Sequence, residues 1–573
     1  MNRSRWMMVL IPVLAVAAGV FFGFRQMLPP KAPAVAETDV LLQDAAPGPD
    51  LRLMLTHMRR MASEVHSVDT PGIRGAHEYL TAQMTEMGYT PVSEAYSLPM
   101  EEVLALLRER TDYRGVLFNE TEEGVRDYAG IGGAPFMNLN NIHAVLDAPD
   151  TDEAILFMAH TDSVKMGPGA FDDTVSVAAL LEGMRLVKDL TPRRDLVFLF
   201  TDGEEQGMLG AAKFVQDHPE YEDVTRLVVN VEARGNQGAV IMFETTPDNL
   251  GIVSEYAEAV SRPFSFSIAT AVYQSMQNDT DLTRFMMRGY PGMNLAVIEG
   301  AEVYHTSQDN LTTFSRDSAQ HYLTTVTELV RHFALDEHLA LESGEDAVHF
   351  PLFEGGMAVL PRSAANVAAV AAFALFGILL VALLSSRKAN VGRVLLTALA
   401  QLAWTGVAFG LSLLVVGMVM RASGVYSYRA ALSLPGAQAI FYAMLAVSAA
   451  ASLALFLLLG RRDGTGYSAA MGTLLVPAVL SLALVFLFPP ATYLFSLPTL
   501  AGVLAVLLTL VFRPGAAVFT GLSAVLVLLL FVPVVFLVFI ALSFQSAHMA
   551  VALAQFPLTM LWGLFLLNRP EKA

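Results

Sequence analysis

The order of apolar and polar positions changes character along this chain. Between residues 141 and 333, short apolar runs alternate with stretches whose apolar positions recur at helical spacing. The apolar runs are HAVLDA, AILFMAH, LVFLFTD, LVVNVEA, AVIMFE and MNLAVIEG, and the helical stretches cover residues 175–190, 209–217, 250–260, 281–288 and 315–333. Such alternation predicts an α/β fold in which a mostly parallel central sheet is flanked by helices. Burial on both faces of the sheet explains why the strands are almost continuously apolar.

The residues before this region show weaker patterns. Residues 50–87 carry apolar positions at helical spacing and predict two surface helices. Residues 94–137 show no clear period, and we predict irregular structure there. Residues 31–49 are rich in Pro and Ala and predict a linker, and residues 341–361 predict a second one. The region between the linkers, residues 50–340, is then one soluble domain.

Two regions are apolar enough to cross a membrane. Residues 7–24 approach the ~20 residues that span a bilayer, and Arg3 and Arg5 precede them. We predict a transmembrane anchor within residues 1–30. A cleaved signal peptide is the alternative, since residues 34–36 (Ala-Val-Ala) resemble a cleavage site, but Arg25 and a Pro pair place that site unusually far from the apolar run. Residues 362–573 predict a membrane domain of about seven helices, at 363–385, 394–420, 436–460, 467–488, 491–512, 515–543 and 547–567.

The charges in the loops between these spans predict the orientation of the chain. One set of alternate loops, together with both chain ends, carries most of the basic residues that flank the predicted spans: Arg3, Arg5, Arg387, Lys388, Arg393, Arg461, Arg462, Arg513, Arg569 and Lys572. The opposite loops carry only Arg421 and Arg429. Basic loops stay in the cytoplasm, so we predict a multi-pass membrane protein with both termini cytoplasmic. The soluble domain then lies outside the cytoplasm, in a periplasm or a lumen.

Composition excludes several kinds of protein. Of the 54 acidic residues, only Asp463 and Glu571 lie beyond Met357, and the net charge of −18 argues against a nucleic-acid partner. No Asp, Glu, Lys or Arg falls within a predicted span, and His548 lies at the edge of the last one. Ion-coupled transporters need ionisable residues inside the membrane, so anchoring, assembly or substrate presentation is the role we expect for the membrane domain. The chain has no Cys, so a metal site must use His and carboxylate ligands.

Histidines and carboxylates, the residue types that can bind a metal in a chain without Cys, occur at or near the ends of the predicted strands. These residues are His160, Asp162, Asp172, Glu204, Glu205, Glu232 and His305. Each has an ordinary structural explanation when taken alone, such as a hydrogen-bonded His, a helix N-cap or a solvated acidic turn. Their shared position at the carboxyl edge of a parallel sheet favours a metal site instead. We predict that the other histidines, among them His57, His66, His218, His321 and His332, are surface residues.

Local spacing suggests what some of these residues do. Asp162 follows His160 by two positions on the same face, so its carboxylate can accept the second ring N–H of a metal-bound imidazole. Asp173 or Thr174 can cap the following helix, which leaves Asp172 free to face a metal. In the adjacent pair Glu204-Glu205, one carboxylate can ligate while the other acts as a base.

The motifs HTD, GAFDD, GEEQGMLGA, NVEARG and YHTSQDN, in this order, resemble the family-28 zinc metallopeptidases of aminopeptidase type. QNDTDLTRF and PGMNLAVIEGAEVYHTSQDN are most similar to the membrane branch of endoplasmic reticulum metallopeptidases and vacuolar membrane proteases. The resemblance covers about residues 141–333 and implies the zinc exopeptidase fold. Two features depart from much of the family: Glu at position 232, as in the membrane branch, and TVSV after Asp173.

The resemblance also implies a two-zinc site and a role for each residue. One zinc ion would be held by His160, Asp172 and Glu232, and the other by Asp172, Glu205 and His305. Glu204 would be the general base and Asp162 the orienting residue. Two cations lower the pKa of a shared water and polarise the scissile carbonyl, while Glu204 moves the proton to the leaving amine.

The function this implies is a membrane-anchored, zinc-dependent exopeptidase, an aminopeptidase in our first interpretation, that acts on peptides outside the cytoplasm. A glutaminyl cyclase-like enzyme and a non-catalytic receptor or scaffold on a peptidase fold are the alternatives. Arg234 could bind a substrate carboxylate, which would favour carboxypeptidase or dipeptidase activity, or it could pair with a structural acid. A homo-oligomer is compatible with the sequence.

Overall fold

The computed structural model describes residues 3–36, 38–114, 121–149, 151–274, 276, 278–462 and 465–569. The basic residue Lys572 of the orientation prediction lies outside them. The chain forms two compact units. The α/β unit comprises Leu28–Val359, and the helical unit comprises Met1–Met27 together with Leu360–Ala573.

A seven-stranded sheet forms the centre of the α/β unit. Its strands are β1 (Val92–Pro99), β2 (Phe136–Leu146), β3 (Ala154–His160), β4 (Asp195–Thr201), β5 (Thr225–Val231), β6 (Ile241–Thr245) and β7 (Gly292–Ala296), and their spatial order is β1-β2-β4-β3-β5-β7-β6. The four central strands, β4, β3, β5 and β7, are parallel to their neighbours in this group. The outer strands β1, β2 and β6 pair antiparallel. The predicted α/β fold is therefore confirmed, with its parallel pairs gathered at the centre.

Among the described residues of the α/β unit, ten α-helices are present. They are α2 (Leu51–Met61), α3 (Pro71–Glu86), α4 (Met100–Arg114), α5 (Glu122–Ala129), α6 (Thr174–Val187), α7 (Leu209–Asp217), α8 (Leu250–Ala259), α9 (Ser267–Gln274), α10 (Asp281–Met286) and α11 (Arg316–Leu335). All five helical stretches predicted beyond residue 141 are present, with ends shifted by at most a few residues.

Alternate side chains of the central strands enter two different cores. Along β3, Phe157 packs with residues of α2, α6 and α11 on one face of the sheet. Its neighbours Leu156 and Met158 pack with residues of α7 and α10 on the other face. Both faces are therefore dry, which is why the central strands are apolar without alternation.

The structure corrects the prediction for residues 94–137. Instead of irregular structure, this region contains most of β1, both α4 and α5, and the start of β2. β1 is an edge strand whose side chains are largely exposed or half-buried, so polar residues occupy it without a clear apolar pattern. Residues 341–361, predicted as a linker, include β8 (Ala347–Pro351) and β9 (Met357–Pro361), which pair with each other.

Eight helices are long and apolar enough to cross a membrane, among the residues that the structure describes. One is α1 (Arg3–Arg25) near the N-terminus, and the other seven match the seven spans predicted beyond residue 361. Their helices are α12 (Arg362–Ser385), α13 (Val391–Ala422), α15 (Ala437–Leu459), α16 (Tyr467–Leu487), α17 (Tyr493–Val511), α18 (Ala516–Leu542) and α19 (Ala547–Phe565), and the short α14 (Tyr428–Leu432) lies between α13 and α15.

Close packing of small residues joins α1 to α18. A Cβ at Gly19 would lie 2.8 Å from Leu528 Cβ, and one at Gly23 would lie 2.8 Å from Val532 Cβ. Glycine at these positions lets the two helices approach closely, which is the usual basis of helix association in membranes. The N-terminal helix thus packs as an element of the helical unit.

Candidate metal centre

The predicted ligands come together at the carboxyl ends of the four central strands. His160 is the last residue of β3, and Glu232 directly follows β5. Glu205 lies in the loop after β4, and His305 in the loop after β7. Because parallel strands end at the same edge of the sheet, four loops that are distant in sequence meet there.

The first group of ligand atoms is formed by His160, Asp172 and Glu232. His160 Nε2 lies 3.3 Å from Asp172 Oδ1 and 3.5 Å from Glu232 Oε2. All three residues are buried, and one ligand atom from each lies within 4.8 Å of the others.

The second group shares Asp172 with the first. His305 Nε2 lies 3.2 Å from Asp172 Oδ2 and 3.0 Å from Glu205 Oε2. The two oxygens of one carboxylate therefore face two different histidines. Burial would lower the pKa of His305, but the carboxylates of Glu205 and Asp172 outweigh it and raise that pKa to about 9.

The orientation of these atoms fits a divalent cation. His160 Nδ1 lies 2.9 Å from the backbone carbonyl of Asp162 and must donate to it, since a carbonyl only accepts. In the neutral ring, Nε2 then turns a lone pair toward the carboxylates of Asp172 and Glu232. Both His160 Nε2 and Asp172 Oδ2 are buried and make no hydrogen bond, which is costly unless each of them meets a cation. Imidazole and carboxylate ligands without thiolate suit zinc.

Asp162 acts differently from the sequence prediction. The acceptor for the His160 ring is the Asp162 backbone carbonyl, while the Asp162 carboxylate lies 3.6 Å from Nδ1. That carboxylate instead accepts the backbone N–H groups of Gly203, Glu204 and Glu205 at 2.8, 3.0 and 3.3 Å. Gly203 has a positive φ of 78°, which turns the loop so that its amides face Asp162. Asp162 thus holds the loop that presents Glu204 and Glu205.

Asp309 is a positioning residue that the sequence prediction missed. Its Oδ1 accepts the amide of Phe171 at 2.9 Å, and its Oδ2 accepts the amide of Asp172 at 3.0 Å. Burial, followed by the nearby charge of Asp172, raises the pKa of Asp309 to about 7. Asp309 lies four positions after His305 in the same YHTSQDN motif, so its loop connects both sides of the centre.

The backbone around Asp172 is tightly constrained. Gly169 has a φ of 57°, and a Cβ there would lie 2.3 Å from the Asp172 carbonyl oxygen. Asp173 occupies the N-cap position of α6, but its carboxylate makes no capping bond. It accepts the Ser176 hydroxyl and the His160 amide instead, and so connects α6 to the end of β3.

Glu204 lies beside both groups without belonging to either ligand set described above. One atom each from His160, Glu204 and Glu205 lies within 4.8 Å of the others. Burial, followed by the carboxylate of Glu232, raises the pKa of Glu204 well above the usual carboxyl range. A carboxyl with a raised pKa binds a proton more readily than an ordinary carboxyl does, which suits a group that accepts a proton and later donates it.

Two further side chains lie at the rim of this centre. The Tyr304 ring stacks on the His305 ring with 3.7 Å between their centroids. The Arg234 guanidinium lies 5.9 Å from the Tyr304 ring centroid, and its Nη1 lies 3.8 Å from the Met276 sulfur. These contacts place a cation and an aromatic ring close to His305.

The surface prediction for the other histidines is wrong for three of them. His57, His66 and His321 are buried, and burial lowers the pKa of each below its ordinary value. They are accommodated by hydrogen bonds from other elements: His57 Nδ1 lies 2.8 Å from the Tyr79 hydroxyl, and His321 Nδ1 accepts the Val240 amide. The helical pattern of the sequence does not indicate which face of each helix is covered by other elements, so it does not predict that these histidines are buried.

Comparison with known proteins supports the same interpretation of the α/β unit. Residues 141–330 match the family model described as peptidase family M28. Endoplasmic reticulum metallopeptidase 1 of Mus musculus is 34% identical over 224 residues, which are 38% of this chain and 25% of that protein. A vacuolar membrane protease of Candida albicans is 30% identical over 268 residues, which are 46% of this chain and 30% of that protein. The matches thus span about a quarter to a third of the relatives' length.

Among solved structures, an aminopeptidase from Aneurinibacillus sp. aligns with a TM-score of 0.40 at 16% identity, over 51% of this chain and 96% of that one. The family match at residues 141–330 includes all five proposed metal ligands. Residues 141–330 thus form a domain of peptidase family M28, and this chain is similar to endoplasmic reticulum metallopeptidase 1 and vacuolar membrane protease.

Proposed function

We propose that the protein is a membrane-anchored, zinc-dependent exopeptidase of the aminopeptidase type, with two zinc ions in its metal centre. The observation that carries this proposal is the pair of ligand groups that share Asp172. A single carboxylate whose oxygens face two histidines is suited to bridge two cations. A one-zinc glutaminyl cyclase-like site would not need the second group.

In this proposal, His160, Asp172 and Glu232 hold one zinc ion, and Asp172, Glu205 and His305 hold the other. When bound, the zinc ions supply Lewis acidity toward a water molecule and toward the carbonyl oxygen of the scissile bond. The burial of the ligands supports a rigid and largely dry site.

Glu204 is the proposed general base. It takes a proton from the attacking water as the oxygen bonds to the carbonyl carbon, and it returns the proton to the amine as the C–N bond breaks. Asp162 fixes the backbone of Gly203, Glu204 and Glu205, and thereby holds both the base and one ligand in place.

We also propose that the α/β unit lies outside the cytoplasm and that both termini are cytoplasmic. The asymmetry of the basic residues supports this orientation. Arg387, Lys388 and Arg393 lie where α12 ends and α13 begins, while only Arg421 and Arg429 lie between the other end of α13 and α15. The packing of α1 on α18 supports an N-terminal helix that stays with the protein as an anchor.

The experiment that tests the reaction type is a peptide library offered to the purified full-length protein. The library contains each peptide with a free and with a blocked N-terminus, and peptides that begin with Gln. Cleavage that requires a free N-terminus is the expected result. Cleavage that requires a free C-terminus would identify a carboxypeptidase. Conversion of N-terminal Gln without cleavage would identify a cyclase. A protein that binds zinc but turns over no peptide would be a receptor or scaffold.

A further inference from the structure

A second cluster of metal-binding side chains lies in the α/β unit, and none of its members belongs to the centre described above. Glu94 is in the edge strand β1, His143 is in β2, and His218 directly follows α7. In the pairing of β1 with β2, Val92 lies opposite His143 and Glu94 opposite Asn141, so Glu94 and His143 are diagonal neighbours on one face. Three elements that are separate in sequence thus contribute one residue each.

The potential ligand atoms converge on a small volume. Glu94 Oε1 lies 2.6 Å from His218 Nε2 and 3.8 Å from His143 Nδ1. One ligand atom from each of the three residues lies within 4.8 Å of the others. A tetrahedral zinc ion with bonds of about 2.0–2.2 Å places its ligand atoms roughly 3.4 Å apart, so small side-chain shifts would complete such a site.

His143 provides the independent observation that favours a ligand. Its side chain is 8% exposed, and its Nδ1 is buried without a hydrogen-bond partner although it lies near the Glu94 carboxylate. A buried ring nitrogen without a partner is destabilising unless a proton or a cation joins it to its neighbour.

Two further groups orient the potential ligands. On the far side of the His218 ring, Nδ1 lies 2.8 Å from Glu220 Oε1. The Tyr96 hydroxyl donates to Glu94 Oε2 at 3.0 Å, which leaves Oε1 facing the histidines. A metal-bound His whose second nitrogen donates to a carboxylate, next to a hydrogen-bonded carboxylate ligand, is the usual arrangement around protein zinc sites.

We propose that Glu94, His143 and His218 form a second, structural zinc site, with solvent at the fourth position. Its zinc ion would join the edge strand β1 to β2 and to the C-terminal end of α7. The chain has no Cys, so no disulfide can fasten this edge. Because α7 begins shortly after Glu204 and Glu205, the site would also anchor the helix that follows the loop of the metal centre.

The test is the zinc content of the full-length protein after equilibration at a fixed free zinc concentration. We expect His143→Ala and His218→Ala each to lose one zinc ion per chain relative to the unaltered protein. His332→Ala is the matched control, since His332 Nε2 lies 2.8 Å from Glu255 Oε2 in a similar half-buried pair that has no third potential ligand among the described residues. Its zinc content should equal that of the unaltered protein.

Unchanged zinc content in folded His143→Ala and His218→Ala would overturn the proposal and leave a hydrogen-bonded chain of Glu94, His218 and Glu220. If these variants do not fold, crystals of the unaltered protein are grown with zinc, and anomalous diffraction at the zinc edge then tests for an ion at the proposed site. A peak between Glu94, His143 and His218 supports the site, and no peak there contradicts it. Because the expected loss is one ion with the other centre intact, failure here does not affect the proposed peptidase.

Discussion

The candidate metal centre should depend most on Asp172, because its two oxygens face His160 and His305 separately. Removing it should therefore affect both proposed zinc ions, whereas Glu232 faces only one. We expect Asp172→Ala to lose two zinc ions per chain relative to the unaltered protein and Glu232→Ala to lose one. Zinc content after dialysis measures this difference, and equal losses in the two variants would contradict the shared carboxylate.

Asp309 should influence the centre without binding zinc, since it positions the Phe171 and Asp172 amides. Residues that orient metal ligands typically contribute about 10–100-fold to metal affinity or activity. We expect Asp309→Ala to weaken zinc affinity by this factor, as measured by competition with a chelator. Asp309→Asn retains one acceptor oxygen, so its zinc affinity should lie between that of the unaltered protein and that of Asp309→Ala. An unaltered zinc affinity in folded Asp309→Ala would show that the contact is dispensable.

At this scale, the sequence predicts ligand types but not the hydrogen bonds between loops. His160, Asp172, Glu205, Glu232 and His305 can be found because each follows or precedes a recognisable element. The bonds from Asp162 to the loop after β4, and from Asp309 to Asp172, join residues about 40 and 137 positions apart. No local pattern encodes such contacts.

At the scale of elements, the sequence predicts a strand well when both faces of that strand are buried. Strands β3, β4 and β5 are buried on both faces, so their apolar runs mark them almost to the residue. The edge strand β1 is mostly exposed, and its polar sequence resembles that of a loop. The same edge holds Glu94, whose contact with His218 arises only when β1 and α7 come together.

The contact between α1 and α18 gives a prediction for the helical unit. A larger side chain at Gly23 would meet Val532 and the carbonyl oxygen of Leu528, which lies 3.1 Å from a Cβ there. We expect Gly23→Leu to destabilise the protein by about 1–3 kcal/mol, the usual cost of overpacking, and to lower its unfolding temperature in detergent. Gly377→Leu in α12 is the control, because a Cβ at Gly377 meets nothing within 4 Å. Equal effects of the two substitutions would contradict the packing of α1 on α18.

At the scale of the whole molecule, the number of membrane helices follows from hydropathy alone, because each span must be apolar regardless of its neighbours. The positions of the seven C-terminal spans were predicted for this reason to within a few residues. The orientation follows from a different feature, the charge of the loops, and is a prediction that labelling can test.

The absence of Cys makes single-cysteine labelling direct. Ala82 in α3, Ser423 in the loop after α13 and Ser386 in the basic loop after α12 are all exposed. We expect a membrane-impermeant maleimide applied outside intact cells, or to the lumenal side of vesicles, to label Ala82→Cys and Ser423→Cys but not Ser386→Cys. Labelling of Ser386→Cys alone would reverse the proposed orientation.

In the proposed mechanism, Glu204 moves protons while Glu205 and its partners hold zinc. Zinc content and peptide cleavage measured on the same sample of Glu204→Gln test this division of roles, with Glu78→Gln, at an exposed position of α3, as the control. We expect the Glu204→Gln variant to keep its zinc and to lose at least about 100-fold in turnover, the contribution typical of a general base, while the control keeps both. Near-full turnover in Glu204→Gln, or loss of zinc together with activity, would contradict the assignment.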